Sequence, residues 1–243
     1  MSAYLELKRE CYEANLLLPE KKLIDLTFGN ASVFDPALGV FAIKPSGVAY
    51  TEMSPDDLVV LDLEGKTVEG KLKPSSDTPT HRRIFLAYPS QVRSVVHTHS
   101  RNATSFAQAG REIPCLGTTH ADYFYGEVPV TRAMTSREIE GAYEWETGCV
   151  IVERMSELEL DPSRMPAMLV RGHGAFTWGP TGRKAVESAL ALEIVAEMTL
   201  KAIQLNPDVQ PLPRALLDRH FLRKHGAKSY YGQAPSQRPE AQA

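Results

Sequence analysis

At 243 residues the chain can bury a full core as one domain, and no linker divides it, so a single domain is expected over residues 1–233. Its 27 Lys and Arg against 30 Asp and Glu leave a formal net charge of −3, evenly spread, which argues against nucleic acid or an anionic membrane as the main partner. The three cysteines, Cys11, Cys115 and Cys149, form no Cys-x-x-Cys pair, so the expected setting is a reducing one, without a disulfide framework or a thiolate metal site.

The N-terminal residues lack a charged segment followed by an apolar run, so no signal peptide is visible. The most apolar stretch, 183–205, is interrupted by Glu187, Glu193, Glu197 and Lys201, which argues against a membrane span. The expectation is a soluble cytoplasmic protein.

Residues 3–18 read as a helix, with Leu7, Cys11, Ala14 and Leu18 as its apolar stripe and Pro19 as its stop. Strand-like runs follow at Leu23–Phe28 and Val40–Ile43, separated by an Asp35-Pro36…Gly39 turn. A hairpin is expected from 58–63 and 66–69, with Glu64-Gly65 at its tip. Lys73-Pro74-Ser75-Ser76-Asp77-Thr78-Pro79 then opens a short helix, with Asp77 or Thr78 able to cap it.

Val95-Val96-His97-Thr98-His99-Ser100 reads as the end of a buried strand, and a helix at 101–109 closes on Gly110. Residues 118–126 form a looser region, 136–155 a helix, and 168–170 a strand entering Gly172-His173-Gly174 and leaving through 175–178. The helix at 183–205 sets Glu193, Glu197 and Lys201 in one polar row, with Val186, Leu190 and Ile194 opposite. A last helix spans about 213–225, and the tail 234–243 reads as disordered.

Alternate residues of a strand leave the same face, so His97 and His99 point the same way and offer two imidazoles, half of a zinc site. A His-x-His pair also occurs for purely structural reasons, so the reading needs a third ligand. His173 is the best one, because flanking glycines let the backbone bend, although a turn histidine would look the same. Asp77 suits a fourth ligand or a plain helix cap. His81 reads as helix surface, and His225 as a last-turn histidine favoured by the helix dipole. Ser75-Ser76 ahead of a helix, Gly29-Asn30, and Lys44-Pro45-Ser46-Gly47 each offer groups for an anion and each suit an ordinary turn. None matches a Walker or dinucleotide fingerprint.

Taken together, these segments resemble the class II aldolase/adducin family, and closely its L-ribulose-5-phosphate 4-epimerases. The matching stretches are 26–30, 43–47, 73–81, 96–100, 117–126, 143–148 and 225–233. Arg171-Gly172 ahead of His173, and the tail beyond Gln233, depart from the pattern. The resemblance implies a three-layer α/β/α sandwich around a mixed, mostly antiparallel sheet, assembled as a homotetramer of C4 symmetry with sites at subunit interfaces. It implies one divalent metal per subunit, Zn2+ or another such as Mn2+, on His97, His99 and His173 with Asp77 at or beside it. The sugar-phosphate substrate would meet Gly29, Asn30, Lys44, Ser46, Gly47, Ser75, Ser76, Thr118, Glu144 and His220. Asp122 and Tyr231 would be the acid–base pair, Asp122 serving its own subunit and Tyr231 a neighbour. The implied reaction interconverts L-ribulose 5-phosphate and D-xylulose 5-phosphate. A class II aldolase releasing its two fragments, or a non-enzymatic adducin-like module, would share the fold.

Overall fold

The structure, a computed structural model, describes residues 3–226. Tyr231 and the tail 234–243 lie outside the described residues. Among the described residues seven strands form one sheet in the order β4-β3-β2-β1-β5-β7-β6, and every ladder is antiparallel. The strands are β1 Gly29–Asp35, β2 Val40–Ile43, β3 Val59–Asp62, β4 Thr67–Glu69, β5 Ser94–Thr98, β6 Ala167–Leu169 and β7 Ala175–Gly179. The mixed character expected of the sheet reduces to one isolated parallel bridge, Val130–Leu169.

Helices cover both faces, giving the three layers. On one face α2 (Thr78–Ala87) and α6 (Tyr143–Glu157) pack Ile84, Phe85, Ile151 and Met155 against Phe34, Phe41, Val95 and Phe176 of the sheet. On the other lie α1 (Leu5–Glu20), α3 (Arg101–Ala109) and α7 (Gly182–Leu205). The expected stripe of α1 is buried in full, and the helix runs one residue past Pro19. A short α4 (Thr118–Ala121) and α8 (Arg214–His225) pack together at one margin.

Three expectations are corrected. The run Leu23–Phe28 is not a strand: Lys22 and Leu26 adopt positive φ, and Leu26 and Phe28 are exposed. The strand starts at Gly29, in a segment of poor β-propensity that pairing on both sides overrides. Residues 136–155 are two helices, α5 (Ser136–Glu140) and α6, because the chain turns at Gly141, where a side-chain Cβ would stand 2.9 Å from the Arg137 carbonyl. On α7 the buried stripe runs through Ala185, Val186, Ala189, Leu192, Val195 and Ala196, leaving Ile194 exposed. Glu193 belongs to no solvent row: its carboxylate accepts the amide N–H groups of Asn102 and Ala103 and so caps α3.

β1 and α2 meet in register. Residues 30, 32 and 34 share one strand face, and 77, 81 and 85 share one helix face. Asn30 meets Asp77, Ser32 meets His81, and Phe34 stacks on Phe85 at 5.2 Å between ring centroids. Two residues of strand advance about 6.6 Å and four residues of helix about 6 Å, so the three rungs stay matched. His97 is the cross-strand partner of Asn30 and faces the same layer.

α2 and α6 approach closely at Gly148, where a Cβ would stand 2.6 Å from Arg83 Cβ and 3.1 Å from the Thr80 carbonyl oxygen. Glycine to alanine in a helix ordinarily stabilises by about 1 kcal/mol. Here the sign reverses: Gly148→Ala is expected to destabilise by about 1–3 kcal/mol in urea unfolding, through overpacking.

Candidate active site

Three imidazoles converge at one end of the sheet. His97 comes from β5, His99 continues on the same face just past the strand, and His173 comes from the turn between β6 and β7. Gly172 takes φ +74° in that turn, and a Cβ on Gly174 would lie 2.8 Å from the Thr98 carbonyl oxygen, so both flanking glycines are used. Ring centroids are 4.8, 4.9 and 5.0 Å apart, a near-equilateral triangle. One ligand nitrogen from each lies within 4.8 Å of the others.

His97 Nδ1 lies 3.0 Å from the Ala175 carbonyl oxygen and donates to it. That fixes the tautomer and leaves Nε2 as a lone pair, 3.0 Å from His99 Nε2. Burial pushes all three histidines below their ordinary range, His173 to about 4, so they are neutral at pH 7. Converging neutral nitrogen donors fit a divalent transition metal.

Asp77, at the start of α2, makes no capping bond with its side chain. Its Oδ2 instead accepts from Asn30 Nδ2 at 2.6 Å. Burial raises its carboxyl pKa, but His97, His81, the Asn30 bond and His173 outweigh that and hold it below the usual range. Tyr143, opening α6, brings its hydroxyl to 3.4 Å from His173 Nδ1, with Glu144 beside it.

The two anion-binding loops are tied to each other. Pro45 bridges Pro74, the Ser46 N–H donates to the Lys73 carbonyl and the Ser75 N–H to that of Lys44. Ser46, Gly47 and Ser76 are exposed along this seam, and Ser75 Oγ accepts from Asn30 Nδ2. Lys44 is buried; its ammonium donates to the carbonyls of Pro45 and Val48 and lies 4.8 Å from the Tyr50 ring centroid. It therefore braces its own loop. Tyr50, which sequence reasoning passed over, donates its hydroxyl to the Gly29 carbonyl at 2.6 Å. Gly29 itself is required by close approach: a Cβ there would stand 2.7 Å from the His97 carbonyl oxygen.

Thr118, Asp122 and His220 stand elsewhere. Asp122 follows α4, and Oδ1 lies 3.1 Å from His220 Nδ1 while Arg223 and Lys224 approach Oδ2 at 3.0 and 3.3 Å. Burial opposes ionisation, but these partners hold the carboxyl below its usual range. Asp122 lines a cavity of about 610 Å3 together with Trp178, Gly179 and Pro180. Trp178 and Gly179 end β7 and Pro180 follows it, whereas His173 precedes its start, and the strand between spans roughly 13 Å. The structure thus divides the expected site between two ends of one chain, and Asp122 does not face its own triad. His81 is corrected as well: it is fully buried, not helix surface.

A sequence profile described as the class II aldolase and adducin N-terminal domain matches residues 9–200. L-ribulose-5-phosphate 4-epimerase UlaF of Salmonella paratyphi A is 49% identical over 228 residues, 94% of this chain and 99% of its own. Among solved structures, an L-fuculose 1-phosphate aldolase superposes with a TM-score of 0.74 at 25% identity, covering 90% of this chain and 95% of that one. The L-fuculose-1-phosphate aldolase of Thermus thermophilus gives 0.63 at 27% identity, covering 85% and 98%.

His97→Asn is expected to weaken binding of a divalent ion by on the order of 100-fold or more, read by competition with a chromophoric chelator. A second expectation concerns acid. Burial pushes His81 to about 3 and His120 to about 4, so both stay neutral in the fold. Between pH 6.5 and 4 the unfolded chain takes up protons there that the native chain refuses, so stability falls as pH falls. Each contributes up to about 1.4 kcal/mol per pH unit across its window, which urea midpoints of metal-free protein at pH 7, 6 and 5 would reveal.

Proposed function

The chain belongs to the class II aldolase and adducin family, and from that membership we propose that it is a metal-dependent epimerase interconverting L-ribulose 5-phosphate and D-xylulose 5-phosphate. The observation that carries the reading is the histidine triad with Asp77 at one end of the sheet and a cation-held Asp122 at the other. The UlaF relative supports the choice of epimerase within the family.

Carbon 4 of a 2-ketopentose is β to the carbonyl, and its own C–H is not acidic, so proton abstraction cannot invert it. Breaking the C3–C4 bond can, because the electrons left on C3 delocalise into the C2 carbonyl as an enediolate. A divalent ion held by His97, His99 and His173, with Asp77 at or beside it, would supply Lewis acidity toward the substrate oxygens. We assign zinc as the ion, with manganese as the alternative. Ser46, Gly47, Ser75 and Ser76 would hold the phosphate and so retain glycolaldehyde phosphate after cleavage. Asn30 and Gly29 line the inner end of that seam, and Lys44 keeps it in shape.

The retained aldehyde turns over and is re-attacked on its other face, so one acid–base group is needed on each face. Asp122 and Tyr231 are assigned these parts. A carboxylate accepts the hydroxyl proton as the C4–O bond becomes a carbonyl, and on re-addition a phenol returns a proton to the new alkoxide. Thr118, Glu144 and His220 would orient the fragments and the carboxylate.

Because Asp122 stands away from its own triad, its working partner is the triad of a neighbouring subunit. A cyclic homotetramer meets that requirement, since each subunit presents one end to each neighbour. Leu26 and Phe28 support it: both are exposed, and the Phe28 ring lies 6.2 Å from that of His99, an apolar rim suited to cover by a second chain.

Incubation with L-ribulose 5-phosphate is expected to yield D-xylulose 5-phosphate without build-up of dihydroxyacetone; equimolar free fragments would mean an aldolase instead. His97→Asn and Asp122→Asn are each expected to be nearly inactive. Mixed and reassembled in equal amounts, they should recover about a quarter of parental activity, because a random ring pairs an intact triad with a neighbour's intact Asp122 at that frequency. No recovery, with parent subunits reassembling fully, would return Asp122 to its own chain's site.

A further inference from the structure

The two polar rungs between β1 and α2 are not equivalent. Asn30 reaches Asp77 directly at 2.6 Å, whereas on the next rung Ser32 Oγ lies 2.7 Å from His81 Nδ1, and both residues are fully buried. Assigned as the donor to that ring nitrogen, the Ser32 hydroxyl leaves the imidazole proton on Nε2. Among the described residues no protein atom accepts a hydrogen bond from this Nε2. Buried polar groups are nearly always paired, so this N–H has work to do.

Its setting indicates where. His81 lies four residues after Asp77 on the same helix face, and their main chains are joined by the His81 N–H to Asp77 carbonyl bond. The ring meets Phe176 edge-on, and His97 stacks on the same phenyl ring at 4.2 Å. Burial pulls the His81 pKa down, and the Asp77 carboxylate opposes that shift. Asn30 occupies Asp77 Oδ2, which leaves Oδ1 to be fixed by something else.

We propose that His81 is a positioning residue for the metal site: locked by Ser32, it turns its Nε2–H toward Asp77 and holds the carboxylate oxygen that Asn30 leaves open. No direct hydrogen bond joins the two groups, so the proposed link runs through a bridging water. His81 touches neither substrate nor metal; it sets the orientation in which Asp77 meets the triad. The inference rests on the metal-site reading of the triad and is indifferent to which sugar phosphate is turned over.

Amide substitutions separate the two ring nitrogens. Asparagine places its amide near the Nδ1 position and glutamine near the Nε2 position. In metal-free protein titrated with Zn2+ against a chromophoric chelator, His81→Asn is expected to bind about 10- to 100-fold more weakly than the parent. His81→Gln, which keeps a donor toward Asp77, should stay within about threefold. Both lose packing, so the thermal midpoint of the metal-free protein should fall in both, while affinity falls only in the asparagine variant. For turnover, kcat should follow metal affinity and KM should change little, because the phosphate seam is untouched.

Equal loss of affinity in both variants, tracking the thermal midpoint, would reduce His81 to a packing residue and overturn the proposal, as would parental affinity in His81→Asn. If neither variant folds, Ser32→Ala decides: releasing the lock should weaken Zn2+ binding by about three- to tenfold, and unchanged affinity would overturn the proposal. A parent that binds one ion per chain but fails to epimerise counts against the proposed reaction alone. A competent parent with indifferent His81 variants counts against this inference alone.

Discussion

The matched pitch of β1 and α2 is the constraint on which the rest depends. A strand repeats its face every two residues and a helix nearly every four, and the two advances along the axis almost coincide. Three rungs therefore lock at once, graded from charged at Asn30–Asp77, through Ser32–His81, to apolar at Phe34–Phe85. The apolar end joins the core under α2 and α6, and the polar end delivers Asp77 to the triad. A one-residue slip in β1 would send Asn30, Ser32 and Phe34 to the α1 face and break core and site together.

The two clusters use opposite electrostatics. At the triad, burial withholds protons from His97, His99 and His173, so their lone pairs stand ready for a cation. At Asp122 the environment is cationic: Arg223 and Lys224 approach one carboxylate, which also meets His220 Nδ1, and these contacts keep it ionised. Placing both in one small volume would set positive side chains against a metal ion. Setting them at opposite ends of β7 keeps each environment intact within the chain.

Much of this was legible in the sequence. His97-x-His99 after two β-branched residues, the glycines around His173, the hairpin at Glu64-Gly65 and the Gly110 helix end are local signals, and the structure places all of them as read. What escaped depends on partners distant in sequence. β1 begins with Gly29-Asn30-Ala31, a poor strand former made into one by pairing with β2 and β5. Leu23–Phe28 has the composition of a strand but pairs with no strand among the described residues. His81 looks exposed by residue type and is buried because Ser32, far back in the chain, receives it. Which end of the sheet Asp122 occupies depends on how α4 and α8 dock, and no spacing in the sequence encodes that.

The division of groups across β7 has a genetic consequence. If each site draws its triad from one subunit and its Asp122 from the next, every chain takes part in two sites. A chain lacking both groups that still assembles would silence the site it hosts and the one it serves. Co-expressed with the normal product, such an allele would behave as partially dominant, removing more activity than its share of the subunits, whereas an allele that fails to assemble would be recessive. Alleles damaged at only one end would fall between, and two of them at opposite ends would complement within the ring.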